Sequence, residues 1–164
     1  MRHLLPGLAV TTALAFAPAA MAKDLRNRVG VGFNNQFGHA SSISARYGLP
    51  WNDDAINLQI ELLAGVDIDG DAATTDAVSA GGRLLYALVA EDNMNLYAAA
   101  GLGWVSYDGV SAVRLQPGLS AQFFLFGLEN LGFSADWGIS IDLGKPTGIA
   151  SFTSAPGMGL HYYF

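Results

Sequence analysis

The chain has 164 residues, no cysteine and a formal net charge of −6, with 51% hydrophobic and 13% charged residues. The acidic balance excludes a nucleic-acid partner, because no basic patch is present to neutralise phosphates. The absence of cysteine excludes a disulfide framework. The charged fraction is about half of the roughly 25% found in ordinary globular domains, which is unusual for a soluble exported protein.

The first 22 residues have the pattern of a cleaved secretory signal peptide. Arg2 supplies a positive charge, Leu4–Ala17 form an apolar run, and a small-x-small cleavage site ends at Ala22. A transmembrane anchor is the alternative, but the run is short and is interrupted by proline and glycine. We therefore predict a signal peptide at residues 1–22 and a single exported domain at residues 23–164.

Beyond residue 22, the hydrophobicity is divided among short segments that alternate between apolar and polar residues. In residues 55–66, AINLQIELLAGV, Ile60 and Leu62 share one face while Gln59 and Glu61 share the other. Such alternation over about ten residues is typical of a strand that crosses a membrane at a tilt. Eight segments have this character: residues 28–38, 41–49, 55–66, 77–89, 95–107, 113–126, 133–143 and 155–164. They predict an all-β fold, an eight-stranded antiparallel up-and-down transmembrane β-barrel.

The connections between these strands alternate in length. Tight turns rich in Asn, Asp and Gly join strands 2–3, 4–5 and 6–7, whereas residues 67–76 and 144–154 form the longest connections. With the N-terminus in the periplasm, the short turns would lie on the periplasmic side. Pro117 lacks the N–H that a barrel strand donates, so it predicts either a bulge or a sixth strand that begins near Gly118. In the first strand, the alternation places Phe37 on the apolar face.

The polar face decides between a membrane barrel and a soluble lipocalin- or avidin-like barrel. In a soluble barrel this face would meet water, yet it consists largely of Gly, Ser and Ala, a surface of poor solubility. Small residues suit the narrow lumen of an eight-stranded barrel, so we predict that the apolar face contacts lipid. The lumen would then hold a charge network of three arginines and three carboxylates: Arg46, Glu61, Arg83, Arg114, Asp136 and Asp142.

Aromatic residues cluster near the ends of the predicted strands, which is the distribution of a membrane girdle. The periplasmic set is Tyr47, Tyr86, Phe123, Phe126, Phe133, Tyr162 and Phe164, and the outer set is Trp104 and Phe152.

The last predicted strand keeps its alternation up to Phe164. Met158, Leu160, Tyr162 and Phe164 share its apolar face, and this pattern closely resembles the C-terminal signature of bacterial outer-membrane barrels, which the barrel assembly machinery reads. Residues 23–164 as a whole resemble the small eight-stranded family typified by the OmpA transmembrane domain and OmpX, although the outer loops here are shorter than in several members. The resemblance implies the outer membrane of a Gram-negative bacterium, with membrane lipid and lipopolysaccharide as surroundings.

Two groups in the predicted outer loops have some resemblance to chemical sites. His39 and Ser41 resemble the His-x-Ser pair of lipid A deacylases, but that family carries the pair on a late, lipid-facing strand. Asp67, Asp69 and Asp71 would form at most a weak divalent site bridging to lipopolysaccharide, because their spacing does not match an EF-hand. We predict no catalytic residue, no resident metal and no cofactor.

The function predicted from these patterns is structural, anchoring or interaction-based rather than enzymatic. Eight strands leave an interior that side chains just fill, which disfavours a general diffusion porin. The lumen charges would form an internal salt-bridge network that stabilises the barrel, with an ion or proton path as the alternative. The barrel would act alone or as a subunit of a trans-envelope complex, where the small outward residues Ala98, Ala100 and Gly82 would allow close contact with a protein partner. The alternatives are an outer-membrane lipid-modifying enzyme of the lipid A deacylase type and a soluble lipocalin-like binder.

Overall fold

The structure is a computed structural model that describes residues 23–37, 41–50, 57–67, 76–144, 148–151 and 157–164. The predicted signal peptide, residues 1–22, lies outside the described residues. No helix in the described ranges is long and apolar enough to cross a membrane. The strands are β1 (Val29–Asn34), β2 (Ser42–Gly48), β3 (Leu58–Asp67), β4 (Ala77–Glu91), β5 (Met94–Tyr107), β6 (Val110–Phe124), β7 (Leu131–Gly144), β8 (Gly148–Ser151) and β9 (Gly157–Tyr163).

The strands form one closed antiparallel barrel. Consecutive strands from β1 to β7 pair with each other, and β9 pairs with both β1 and β7, which closes the wall. β8 pairs with residues 139–142 of β7 and β9 pairs with residues 131–136. The two short strands therefore share the eighth position in the wall. The predicted all-β, eight-stranded antiparallel barrel is confirmed, except that its last strand is divided and β8 lies within the predicted loop 144–154.

The burial of side chains is inverted relative to a soluble barrel. β2 and β3 alternate between buried and exposed residues along most of their length. The exposed positions are apolar, with Ile43 exposed by 78% and Leu62 by 63%, whereas Arg46, Gln59 and Glu61 are fully buried in the lumen. An apolar exterior around a polar interior is the arrangement of a membrane barrel, and it removes the basis for a soluble lipocalin-like binder.

The two ends of the barrel are built differently. The lower end carries the N-terminal residues and the β4–β5 turn at Asp92 and Asn93, and the upper end carries the β5–β6 turn. That upper turn consists of Asp108 and Gly109 alone, with φ of 51° and 74°, the left-handed conformation that a type I′ hairpin requires. β6 therefore begins at Val110, whereas the alternation had predicted a loop up to residue 112.

Pro117 lies inside β6 and forms neither of the predicted irregularities. β6 pairs continuously with β5, and Pro117 is opposite Ala100. On the other side, the β6–β7 pairing stops after Leu115 and resumes at Gly118 in the same register. The missing N–H is thus accommodated by a gap in one ladder, without a bulge and without a later start of the strand.

Phe37 corrects the predicted first strand. β1 ends at Asn34, the chain bends at residues 35–37, and the Phe37 side chain is fully buried instead of facing lipid. It packs with Leu63 and Val105 in the upper part of the lumen. The alternation fails here because period two holds only while the backbone stays extended.

Candidate functional site

The centre of the lumen holds an ion cluster formed by Arg46, Glu61, Arg83 and Asp136. Strand register places Arg46 opposite Glu61 and Glu61 opposite Arg83, so the first three lie in one row across β2, β3 and β4. Arg46 Nε is 3.1 Å from Glu61 Oε1, and Arg83 Nε is 3.1 Å from Glu61 Oε2. One carboxylate is therefore shared by two guanidinium groups.

Asp136 joins the ion cluster from the opposite wall. Arg83 Nη2 donates to Asp136 Oδ1 at 3.0 Å, and Asn34 Nδ2 donates to Asp136 Oδ2 at 3.2 Å. All four charged side chains are almost completely buried. Two positive and two negative charges cancel, which is required where charges are removed from water. The cluster links β2, β3, β4 and β7 across the lumen.

The remaining two predicted lumen charges form a separate pair near the upper end. Arg114 Nε and Nη2 donate to the two carboxylate oxygens of Asp142 at 2.6 and 2.7 Å, a bidentate geometry. Both side chains are partly exposed. The six residues predicted as one network are therefore placed in two groups, the ion cluster and this pair.

We expect Asp142→Asn to lower the free energy of unfolding by about 1 kcal/mol, because a partly exposed pair is screened by solvent. The measurement is urea unfolding in lipid vesicles at low salt and in 1 M salt, and the loss should shrink at high salt. A loss that is the same at both salt concentrations would contradict a screened ion pair.

A serine, a histidine and a glutamate meet beside the ion cluster, but their order does not suit nucleophilic catalysis. Ser44 Oγ donates to Glu61 Oε1 at 2.5 Å, and His161 Nε2 is 2.7 Å from the same hydroxyl. In a catalytic triad the carboxylate orients the far nitrogen of the histidine, whereas here Glu61 binds the serine directly and lies 3.4 Å from the same Nε2. All three side chains are buried. The arrangement supports the charge cluster rather than hydrolysis.

Below the ion cluster, four side chains form a polar ring: Gln59, Tyr97, Gln122 and Tyr163. Gln122 Nε2 donates to Tyr163 Oη at 2.7 Å, and Tyr163 Oη donates to Gln59 Oε1 at 3.1 Å. Gln59 also donates to Tyr97 Oη. Because β3, β5, β6 and β9 each contribute one member, the ring fills the lumen across its width. Alternation along each strand places these residues on the inner face, but it does not reveal their mutual bonding.

The lower end is closed by a plug formed by Lys23–Arg26. Leu25 is fully buried and packs with Phe124 and Tyr163. Asn57 holds this segment, since its Nδ2 donates to Lys23 O at 2.9 Å and its Oδ1 accepts from Leu25 N at 3.4 Å. At the edge of the plug, side-chain hydrogen bonds from Arg26 hold the pKa of Asp24 below its ordinary value. No alternation signal marked this segment, because it is not a strand.

The upper end is closed by a second plug, Gln36 and Phe37. Arg114 Nη1 donates to Phe37 O at 3.1 Å, and Gln116 Nε2 donates to Gln36 O at 3.1 Å. The ring of Phe37 lies over Gly103, where an added Cβ would be 2.3 Å from Phe37 Cζ. The glycines of the polar face therefore suit the narrow lumen, and they also leave space for an aromatic side chain inside it.

The other predicted residues are placed as follows. Met158, Leu160, Tyr162 and Phe164 lie on the outward side of β9 and just beyond its end, and the rings of Tyr162 and Phe164 meet edge to face at 5.1 Å. Of the acidic loop, Asp67 is exposed at the end of β3, while Asp69 and Asp71 lie outside the described residues, as do His39 and Phe152.

Within the ranges that the structure describes, no group of three or more His, Cys, Asp or Glu side chains could hold a metal ion. Ser41 is exposed just before β2. The aromatic residues predicted as a girdle are, where described, exposed, and Phe126 lies in the turn between β6 and β7.

Taken together, the closed strand order and the inverted polarity define a small eight-stranded membrane β-barrel. No protein-family model matches the chain, and no curated protein matches it. A similar solved structure is the backbone structure of the Yersinia pestis outer membrane protein Ail in a phospholipid bilayer nanodisc. The identity is 14%, the match covers 84% of this chain and 97% of that chain, and the TM-score is 0.46.

Proposed function

We propose that this protein is a sealed outer-membrane barrel with a structural, anchoring or interaction role. One observation carries the proposal, the filling of the lumen from end to end. The lower plug, the polar ring, the ion cluster and the upper plug follow each other along the barrel. An interior filled in this way supports a function that resides on the outer surface and in the loops.

The placement in the outer membrane is part of the proposal. The apolar exterior supports contact with lipid, and the signal-peptide pattern of residues 1–22 supports export. The outward series on β9 supports recognition by the barrel assembly machinery. In this orientation the lower end faces the periplasm, the upper end faces the exterior, and lipopolysaccharide surrounds the upper part of the wall.

A non-enzymatic role is supported by the burial of the Ser44, His161 and Glu61 side chains away from any substrate. The small outward residues Ala98, Ala100 and Gly82 lie on the adjacent strands β4 and β5. A helix or a second barrel could approach closely there. This favours the subunit form of the proposal, in which the barrel belongs to a trans-envelope complex.

The sealed lumen predicts that the reconstituted wild-type protein produces no stepwise conductance in a planar lipid bilayer. A general porin in the same bilayer serves as the positive control, and the folded state is verified by gel mobility before and after boiling. Discrete conductance steps from the folded wild-type protein would contradict the proposal.

Crosslinking in intact cells, followed by purification of the barrel, separates the two forms of the role. A partner recovered in stoichiometric amount, and lost in a variant with Ala98 and Ala100 both replaced by leucine, supports the subunit form. Recovery of the folded barrel alone supports a protein that stabilises the envelope by itself. Altered lipid A in a deletion strain, restored by wild-type protein but not by Ser41→Ala, would instead favour the enzyme.

A further inference from the structure

The turn between β6 and β7 is an ordered apolar projection at the lower end of the barrel. Leu128 N donates to Leu125 O at 3.0 Å, and Gly127 has a φ of 80°, as a type II turn requires at its third position. Leu131 N then donates to Leu128 O at 2.9 Å. Two successive hydrogen-bonded turns therefore hold Phe126 and Leu128 at fixed positions beyond the end of β6.

The apolar side chains of this turn are left uncovered. Phe126 is exposed by 89%, the largest fraction of any large hydrophobic side chain in the described ranges, and Leu125 and Leu128 are exposed by about half. Phe123 is the last outward residue within β6, and Phe126 and Leu128 follow it along the chain, next to the exposed carboxylate of Glu129. The turn thus lies at the level of charged groups, below the lipid-facing wall.

The β4–β5 turn beside it is acidic. Asn93 O accepts from the backbone N–H of the last residue of β6 at 2.8 Å, which places the two turns side by side. Glu91 and Asp92 are exposed there, and neither forms an ion pair with another described residue. The neighbouring cation, Lys23, is largely buried and lies 3.3 Å from Glu129. The surface next to the apolar turn is therefore negatively charged.

The charge favours a protein over lipid as the occupant of this surface. Segments that lie in a membrane interface combine apolar side chains with Lys and Arg, which are attracted to anionic lipid headgroups. Here the apolar turn is accompanied by carboxylates, which gain no such attraction. A protein surface that presents Lys or Arg beside apolar residues complements both features.

We propose that these two turns form a docking surface for a basic amphipathic helix of a periplasmic protein. We call it the lower-rim patch, and it consists of Glu91, Asp92, Leu125, Phe126, Leu128 and Glu129. The turns are two strand spacings or about 10 Å apart, and a helix with its side chains is about 10–12 Å wide, so one helix can contact both. The proposal rests on the periplasmic placement of the lower end and deepens the subunit form of the proposed function.

The test is photo-crosslinking in intact cells with benzoylphenylalanine in place of Phe126, followed by mass spectrometry of the crosslinked peptide. We expect a protein segment with apolar residues at helical spacing and Lys or Arg beside them. The same group at Leu119, outward on β6, is the control and should crosslink to lipid only. Adding Asp92→Lys should lower the protein crosslink about threefold or more. Asp76→Lys, at an exposed position of the upper end, should leave it unchanged.

Four results from the folded barrel would overturn the docking proposal: a crosslink to lipid alone, no crosslink, a protein segment without Lys or Arg, or a yield that Asp92→Lys does not change. Benzoylphenylalanine at Leu128 repeats the test if the residue 126 variant does not fold. Labelling of Phe126→Cys with a membrane-impermeant maleimide tests the orientation separately. Labelling only after permeabilisation supports the periplasmic placement, whereas labelling of intact cells would contradict that part of the proposed function and the docking proposal with it.

Discussion

Replacing Glu61 by glutamine is expected to lower the free energy of unfolding by about 3–5 kcal/mol, as found when one partner of a buried ion pair is removed. Glu61 is shared by Arg46 and Arg83 at 3.1 Å each. Without its charge, two buried guanidinium groups depend on Asp136 alone. The measurement is equilibrium urea unfolding of the barrel in lipid vesicles.

Two further variants distinguish charge balance from general disruption. Glu129→Gln removes an exposed carboxylate paired with Lys23 and should change the free energy of unfolding by less than about 0.5 kcal/mol. Arg46→Met combined with Glu61→Gln restores equal numbers of charges in the cluster, so the double variant should be more stable than Glu61→Gln alone. A Glu61→Gln barrel as stable as the wild type would show that the cluster carries no stabilising charge balance.

Gly32→Ala is expected to open the seam between β1 and β9 and to lower the free energy of unfolding by about 3 kcal/mol or more, the upper range for overpacking. An added Cβ at Gly32 would lie 1.8 Å from Leu160 O and 2.8 Å from His161 Cα. Both atoms belong to the backbone of β9, so relief requires the strands to separate. Separation at this position breaks the closure of the barrel. The fraction of compact, unboiled protein on a gel measures the effect.

Gly82→Ala is the matched control for the seam variant. Its added Cβ would be 3.3 Å from Glu61 O and 3.4 Å from Leu62 Cδ2, contacts that small shifts can relieve. Alanine also lowers the conformational entropy of the unfolded chain relative to glycine, which favours the folded state. We therefore expect a compact band equal to that of the wild type. A Gly32→Ala protein with an equally strong compact band would contradict the tight approach of β9.

The strands and their polarity could be predicted from the sequence because both depend on local alternation. Because side chains alternate between the two faces of a strand, neighbouring residues can be assigned to opposite faces from the sequence. On β3, Ile60 is outward and Glu61 is inward. The division of the last strand was not predictable in this way, since Gly148–Ser151 is too short to show a period. The β5–β6 hairpin was predictable from Asp108-Gly109, a strong two-residue turn signal, whereas alternation alone ends one strand at Tyr107 and begins the next at Val113.

The site was less predictable, because its members meet through strand register and lumen width. The alternation indicated six inward charges. Only strand register, however, brings Arg46, Glu61 and Arg83 into one row and places Arg114 opposite Asp142. The two plugs are formed by irregular segments outside the alternation. The glycines of the polar face were a signal for the upper plug. An aromatic ring in the lumen needs neighbours without side chains, and Gly103 is such a neighbour of Phe37.

The measurement that tests the central claim most directly is spin-label accessibility along β3. The chain has no cysteine, so single cysteines at Ile60, Leu62 and Ala64 can be labelled without background in protein reconstituted in vesicles. We predict that labels at these three outward positions collide with oxygen in the bilayer but not with a water-soluble nickel reagent. Labels at Ile60 and Leu62 that collide freely with the nickel reagent would contradict a membrane barrel with an apolar exterior.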